Sequence, residues 1–277
     1  MASEPWQRAF DAADAAGVSL RPLEELEDAD RILDVMIATW GEHQLLPREL
    51  IRALQHSGNV PYGAFVGGEL RGYVLGFLGS DSGGAHIHSH MLAVRPGGRS
   101  KGVGYALKLA QRAQALDAGV FVVRWTYDPL LARNAHFNLE KLGASADGFA
   151  RDFYGEMDDA LNRGDRSDRA TVRWDLEGRS DGIRRSEGSS IAILRRTGDM
   201  PPRPQRIVDA RVDEGVGVRI AIPEDYPALR EADPELARSW RDAVAEAFEA
   251  CLAAGMVAVE FERSSCTYSF STLRDAG

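Results

Sequence analysis

Two groups of residues in the first half of the chain have the types and spacing for chemistry. The run Arg99-Ser100-Lys101-Gly102-Val103-Gly104 follows an apolar stretch ending in Val94-Arg95-Pro96 and precedes a helical pattern. The first N–H groups of a helix lack intrahelical partners and carry the positive end of its dipole. Glycines let a phosphate approach that backbone, and Arg95, Arg99 and Lys101 add charge. The run therefore reads as a seat for a pyrophosphate-bearing ligand. It is not a P-loop, because no Gly-Lys-Ser/Thr follows. It is not a dinucleotide fingerprint, because hairpin signals rather than a βα unit precede it. The second group is His86, His88 and His90, alternating on one expected strand. Imidazole titrates near neutral pH, so it suits proton transfer, and it is also a common metal ligand. No Cys or acidic cluster accompanies the three at ligand spacing, so no metal is expected. A metal-dependent hydrolase built on them stands as a third reading.

These residues need elements to position them. Pro5 to Ala16 reads as a polar helix, and Val18 to Leu23 as an edge strand. Ile32, Val35, Met36 and Trp40 form the i, i+3, i+4, i+8 stripe of a helix over 28–40. Pro47 opens a short helix with Leu50, Ile51 and Leu54 inward. Tyr62 to Val66, the turn Gly67-Gly68, and Leu70 to Leu78 read as a hairpin. Gly72, Gly76 and Gly79 interrupt its second strand and signal bulges or close backbone approach. Ser80 to Ala85 reads as a loop and His86 to Val94 as the next strand. A helix is predicted over 103–117, with Val103, Ala106, Leu107, Ala110 and Ala113 inward and Lys101, Lys108 and Arg112 outward. A strand over 120–125, a break at Asp128-Pro129 and a helix over 130–142 follow. Strand, crossover helix, strand implies at least one parallel pair. Beyond these lie a strand over 170–176, linker-like composition over 178–190 and 201–204, and a strand over 216–222. A helix capped by Asp233-Pro234 carries Leu236, Trp240, Val244, Ala247, Phe248 and Cys251 inward, and a strand over 256–261 closes the pattern.

The motif Arg-x-x-Gly-x-Gly after a strand ending Val-x-Pro resembles the acyl-CoA pyrophosphate loop of the GNAT superfamily of N-acyltransferases. Asn134-Ala135 and Glu140-Lys141-Leu142-Gly143 resemble that family's following motif, and the resemblance runs over roughly residues 18–176. The longer run from Trp125-Thr126-Tyr127-Asp128-Pro129-Leu130 through Tyr154-Gly155 to Ser167-Asp168-Arg169 is similar to a long GNAT-like branch, some members of which are thought to transfer succinyl groups to amino acids. The resemblance implies a mixed α+β/α/β fold: a central, mostly antiparallel sheet flanked by helices, here with a C-terminal αβ extension. It implies that the backbone of Leu92 and Val94 pairs with a pantetheine arm and that amides from Arg99 to Gly104 (Arg99, Ser100, Lys101, Gly102, Val103, Gly104) hold the pyrophosphate. Asn134 would lie near the pantetheine or the thioester. Many family members place a tyrosine just before Glu-Lys-x-Gly as the acid for the departing thiolate. Here that position is Leu139, so another donor must serve, with Tyr154 and Tyr127 as candidates. In several members a carboxylate base sits where His88 stands. His88 is therefore read as the base and His90 as second choice, both expected on the strand face of Leu92 and Val94 by the period of two. A backbone N–H of the same strand would hold the oxyanion.

Arg151, Arg169 and Arg173 could fork onto a carboxylate of acceptor or acyl group, or pair with Asp158, Asp159, Asp165 and Asp168. Trp125 is a weak acceptor-binding candidate and otherwise core. The net charge of −9 argues against nucleic acid as partner. No apolar run reaches the length of a membrane span, and no basic segment followed by an apolar run opens the chain, so a cytoplasmic protein is expected. Cys251 and Cys266 are too few for a disulfide framework. The expected layout is a GNAT-like acyl-CoA-binding domain over 1–178, a linker-like segment over 179–205 and an αβ extension over 206–277. That extension either shapes the acceptor pocket or makes a homodimer contact. The expected activity is transfer of an acetyl- or succinyl-type group from acetyl-CoA or another acyl-CoA to a small-molecule amine, such as an amino acid. The alternative is a non-catalytic acyl-CoA-binding sensor or assembly module.

Overall fold

The computed structural model describes residues 2–42, 45–97, 101–157, 163–177, 190–198, 201–207 and 216–272. The chain divides into two compact units, and it passes from the first to the second within one strand, after Trp125.

The first unit is a sheet with a core on each face. Strands β1 (Ser19–Pro22), β2 (Tyr62–Val66), β3 (Glu69–Asp81) and β4 (Gly84–Val94) lie side by side in that order and are antiparallel. Strand β5 (Val122–Tyr127) joins β4 in parallel. Period-two alternation splits the side chains. Tyr73, Leu75 and Ala93 point to helices α2 (Leu26–Trp40) and α3 (Arg48–His56), where they pack with Ile32, Val35, Met36 and Ile51. Ala64, Val74, Leu92 and Val94 point to helices α1 (Glu4–Ala16) and α4 (Val103–Asp117), against Ala13, Val103, Ala106 and Leu107. Each half-apolar helix thereby buries its stripe on one sheet face. The stripe of α2 is as read from the sequence, and α4 spans the predicted residues. Two details differ. Leu50 is exposed while Ile51 is buried, because α3 is short and turns only one face inward. The expected loop over 80–85 is instead a tight turn at Ser82-Gly83, with strand pairing running out to Asp81↔Gly84.

The second unit contains a sheet in the order β7 (Arg169–Asp175), β6 (Ser145–Ala150), β11 (Met256–Glu262), β12 (Thr267–Thr272), β10 (Gly217–Ala221), β8 (Ser190–Thr197) and β9 (Arg203–Arg206). Its described pairings are antiparallel except β8 with β10. Helix α6 (Tyr226–Ala232) precedes α7 (Pro234–Ala253). The Asp233 carboxylate accepts from the Leu236 N–H at 3.0 Å, which caps α7 as the sequence suggests. All six residues read as its inner face are buried, and Phe248 meets Tyr268 and Phe270 edge-on. The predicted helix over 130–142 is two pieces, α5 (Ala132–His136) and a π-helical turn over Phe137–Lys141. Strands β6, β8, β9 and β12 and helix α6 have no counterpart in the sequence reading. Both units are mixed α/β with mostly antiparallel strands, as expected of the fold class. Among the described residues, no helix is long and apolar enough to cross a membrane.

Candidate active site

Strand β4 does not run straight. Its ladder with β3 steps from Leu75↔Met91 to Gly76↔Ser89, so His90 is the extra residue of a β-bulge. Gly76 makes room for this. A Cβ there would stand 2.8 Å from the His88 carbonyl oxygen and 2.7 Å from Gln111 Nε2. The bulge inverts the alternation. Ser89 meets α4, and so do Leu92 and Val94. His88 therefore points to the opposite face, with its ring 5.1 Å from that of Phe77. The expectation that His88 shares a face with Leu92 and Val94 is thus corrected, because strict period two does not survive an inserted residue. His88 is half-buried and His90 exposed, with their rings 5.9 Å apart. Burial, then the neighbouring charges of His90, His86 and Lys108, hold the His88 imidazole below its ordinary pKa. Near neutral pH its ring is therefore uncharged and able to accept a proton. His86 Nδ1 lies 3.8 Å from an Asp81 carboxylate oxygen, and Asp81 also pairs with Arg124 at 3.4 Å. Among the described residues, no group of three or more His, Cys, Asp or Glu is arranged to hold a metal ion.

The parallel ladder of β4 and β5 consists of Ile87↔Val123 and His88↔Arg124. Beyond it, from Ser89 to Val94, the β5-side edge of β4 has no partner strand among the described residues. Such an edge presents backbone donors and acceptors to any extended ligand. Lys108 occupies the point where the strands part. Its Nζ donates to Ser89 Oγ at 2.9 Å and to Gln111 Oε1 at 3.0 Å, and lies 3.8 Å from the Trp125 ring centroid. Lys108 is 2% exposed, and burial brings its ammonium down to about 7. The outward orientation expected of it is wrong, because the inward side of α4 is broad and also takes Gln111 and Leu109.

At the other end of that edge, Arg99 and Ser100 lie outside the described residues. Lys101 is exposed. Gly102 holds the left-handed conformation (φ 91°) at the start of α4, with its carbonyl accepting from Ala106 N–H at 3.0 Å. Among the described residues no side chain caps this helix, and its first-turn amides, including those of Val103 and Gly104, have no intrahelical acceptor. Gly104 faces Leu92. Arg95 Nε donates to the Leu70 carbonyl at 3.1 Å.

The other candidates belong to the second unit. Asn134 stands on α5, its backbone N–H bonded to the Leu131 carbonyl. Leu139 is buried in the π-helical turn. Tyr154 is 44% exposed, with its hydroxyl 3.2 Å from Thr126 Oγ1. The Arg169 guanidinium stands 5.4 Å from the Tyr154 ring and donates to the Asp168 carbonyl. Arg151 forks onto Glu249 at 2.6 and 2.6 Å, so its carboxylate partner is Glu249 rather than one of the aspartates weighed above. Asp158 and Asp159 lie outside the described residues. Asp168 is buried and accepts from Arg166, and the Asp165 carboxylate, 7% exposed, accepts from Arg241. Asp128 is also more than a turn former. It receives the buried Arg241 fork at 2.7 and 2.8 Å and the Leu130 N–H at 2.9 Å.

Residues 23–143 match the family described as "Acetyltransferase (GNAT) family". No curated protein matches the chain. Among solved structures it is similar to the ribosomal-protein-S18-alanine N-acetyltransferase from Escherichia coli, with 15% identity, 57% of this chain and 94% of that chain covered, and a TM-score of 0.47. Naa20 of Chaetomium thermophilum, in complex with a bisubstrate analogue, is 20% identical over 58% of this chain and 87% of that one, with a TM-score of 0.46. An N-acetyltransferase from Staphylococcus aureus is 17% identical over 57% and 98%, with a TM-score of 0.46. Over residues 23–143, the chain matches the GNAT acetyltransferase family.

Proposed function

We propose that this acetyltransferase moves an acetyl- or succinyl-type group from its coenzyme A thioester to the amine of a small molecule, an amino acid being the leading class, in the cytoplasm. One observation carries the reading. An edge of β4 with no partner strand among the described residues runs from the start of α4 to the bulge at His90, beside His88. These features fit the ends of an acyl-CoA: amides at a helix start for the pyrophosphate, and a strand edge for the amide-bearing arm. An acyl-CoA supplies an activated carbonyl, and the chain must orient it, take a proton from the amine and steady charge on the carbonyl oxygen.

Amides from Arg99 to Gly104 hold the pyrophosphate, and the backbone of Leu92 and Val94 lines up the arm. His88, kept neutral by its surroundings, takes the amine proton directly or through water, with His90 second. A β4 backbone N–H at the bulge faces the developing oxyanion. The resemblance assigns Asn134 to the arm or thioester and leaves Arg169 and Trp125 as weak acceptor candidates. Arg151 is the weakest of these, being already paired with Glu249. Incubating the protein with acetyl-CoA or succinyl-CoA and a panel of amino acids tests the reading. Thiol release that depends on one acceptor class supports it. Binding without release across the panel favours the second reading, a non-catalytic acyl-CoA-binding module, for which the buried Leu139 at the usual tyrosine position speaks.

A further inference from the structure

We propose that Ser89, supplied by Lys108, is the acid that gives a proton to the departing thiol sulfur, a task for which Leu139 has no group; this rests on the acyl-CoA reading above. Ser89 is the first β4 residue past the last ladder pair, and Trp125 the first of β5. Lys108 Nζ touches both, at 2.9 Å from Ser89 Oγ and 3.8 Å from the Trp125 ring centroid. The ammonium thus marks the point where the two strands diverge. It does so on the face that carries Leu92 and Val94, opposite His88. From Val94 to Ser89 the edge spans about 16 Å at ~3.3 Å per residue. A pantetheine arm that leaves its phosphates at the start of α4 and follows this edge brings its sulfur to the Ser89 end. Acid and base then stand on opposite faces of β4, so the two proton transfers do not compete for one group.

The step balances. The amine nitrogen bonds to the carbonyl carbon and its surplus proton goes to His88. The carbon–sulfur bond breaks, with its electron pair staying on sulfur. The sulfur takes the Ser89 hydroxyl proton, and Ser89 Oγ takes one from the Lys108 ammonium. His88 returns its proton to solvent and Lys108 regains one before the next turnover. Ser89 from β4, Gln111 from α4 and Trp125 from β5 stand around Nζ. His88 is a titratable group within its field. Burial leaves the Lys108 ammonium at about 7, so it can give and regain a proton near neutrality. A tyrosine is not needed for this, which is consistent with an aliphatic residue at 139.

The test uses the full chain and free coenzyme A, with the bound thiol titrated through its ultraviolet thiolate band against desulfo-coenzyme A as blank. The thiol of bound coenzyme A is expected to ionise at least about tenfold more readily than in solution, one pKa unit. Ser89→Ala and Lys108→Gln should each return it toward the solution value, and desulfo-coenzyme A binding reports whether the arm is still seated. A bound thiol that titrates as in solution, or variants that keep the wild-type value, overturn the proposal. If coenzyme A does not bind at all, the acyl-CoA reading falls and takes this proposal with it; binding with an unshifted thiol removes only the proposal. Ser89→Ala deletes one oxygen, so it decides the matter even where Lys108→Gln fails to fold.

Discussion

His88 and Lys108 share the same stretch of β4 and were not equally visible. Histidine alternating along a strand declares itself by type, whereas a lysine on a helix is ordinarily a solvated cation, and only the packing of Ser89, Gln111 and Trp125 around Nζ makes it an interior group. The glycine at 76 did signal an irregularity. What the spacing could not tell is that the inserted residue is His90, and that single insertion decides which way His88 points. His88→Ala should keep acyl-CoA binding and lose turnover by roughly 10²–10⁴-fold, the usual worth of a positioned base. Unchanged turnover would remove it from that role. Because burial and like charge lower its pKa, the neutral, proton-accepting form persists to lower pH than for a free imidazole. The acid limb of kcat/KM should therefore have its midpoint below about 6.5, and the limb should vanish in His88→Ala. A midpoint above that value contradicts the assignment.

Elements with strong local signals are those the sequence describes well. α7 has a side-chain cap, a proline at its first position and an unbroken apolar stripe, and it forms over the expected residues. β9 has the opposite character. Pro204 within a polar run reads as linker, yet β9 is the last strand of its sheet, where a missing N–H is tolerated. β6 is Ser-Ala-Asp-Gly-Phe-Ala, poor in β-branched residues, and exists through its pairing with β7. At the start of α4 the decisive residue is Gly102, in the left-handed region with space beside it limited by Ala16 at 3.3 Å. Gly102→Ala should cost about 1–2 kcal/mol in urea unfolding, the penalty of a side chain in that conformation. It should also weaken acetyl-CoA binding, because the first-turn amides re-aim. Wild-type stability and affinity in the variant would show that the loop does not need this geometry.

For the whole molecule, composition and charge exclude classes without selecting one, and the acetyltransferase reading rests on the family resemblance and the match over residues 23–143. The second unit shows why long-range polar contacts escape such reading. Asp128, Asp165, Tyr226 and Arg241 are far apart in sequence, yet Arg241 is 3% exposed and bonded to both aspartates, and Tyr226 donates to Asp165 at 2.8 Å. Arg241→Met should destabilise the protein by about 3–5 kcal/mol, since it takes the buried guanidinium from two largely buried carboxylates. A loss below about 1 kcal/mol in denaturant titration would mean the network is dispensable. The central claim is that this chain binds an acyl-CoA along β4, and calorimetric titration of acetyl-CoA and succinyl-CoA into the full protein tests it most directly. The account predicts saturable binding of at least one thioester. It also predicts a rise in Tm equivalent to about 2.7 kcal/mol at a hundredfold excess over Kd. No heat and no change in Tm with either compound would contradict it.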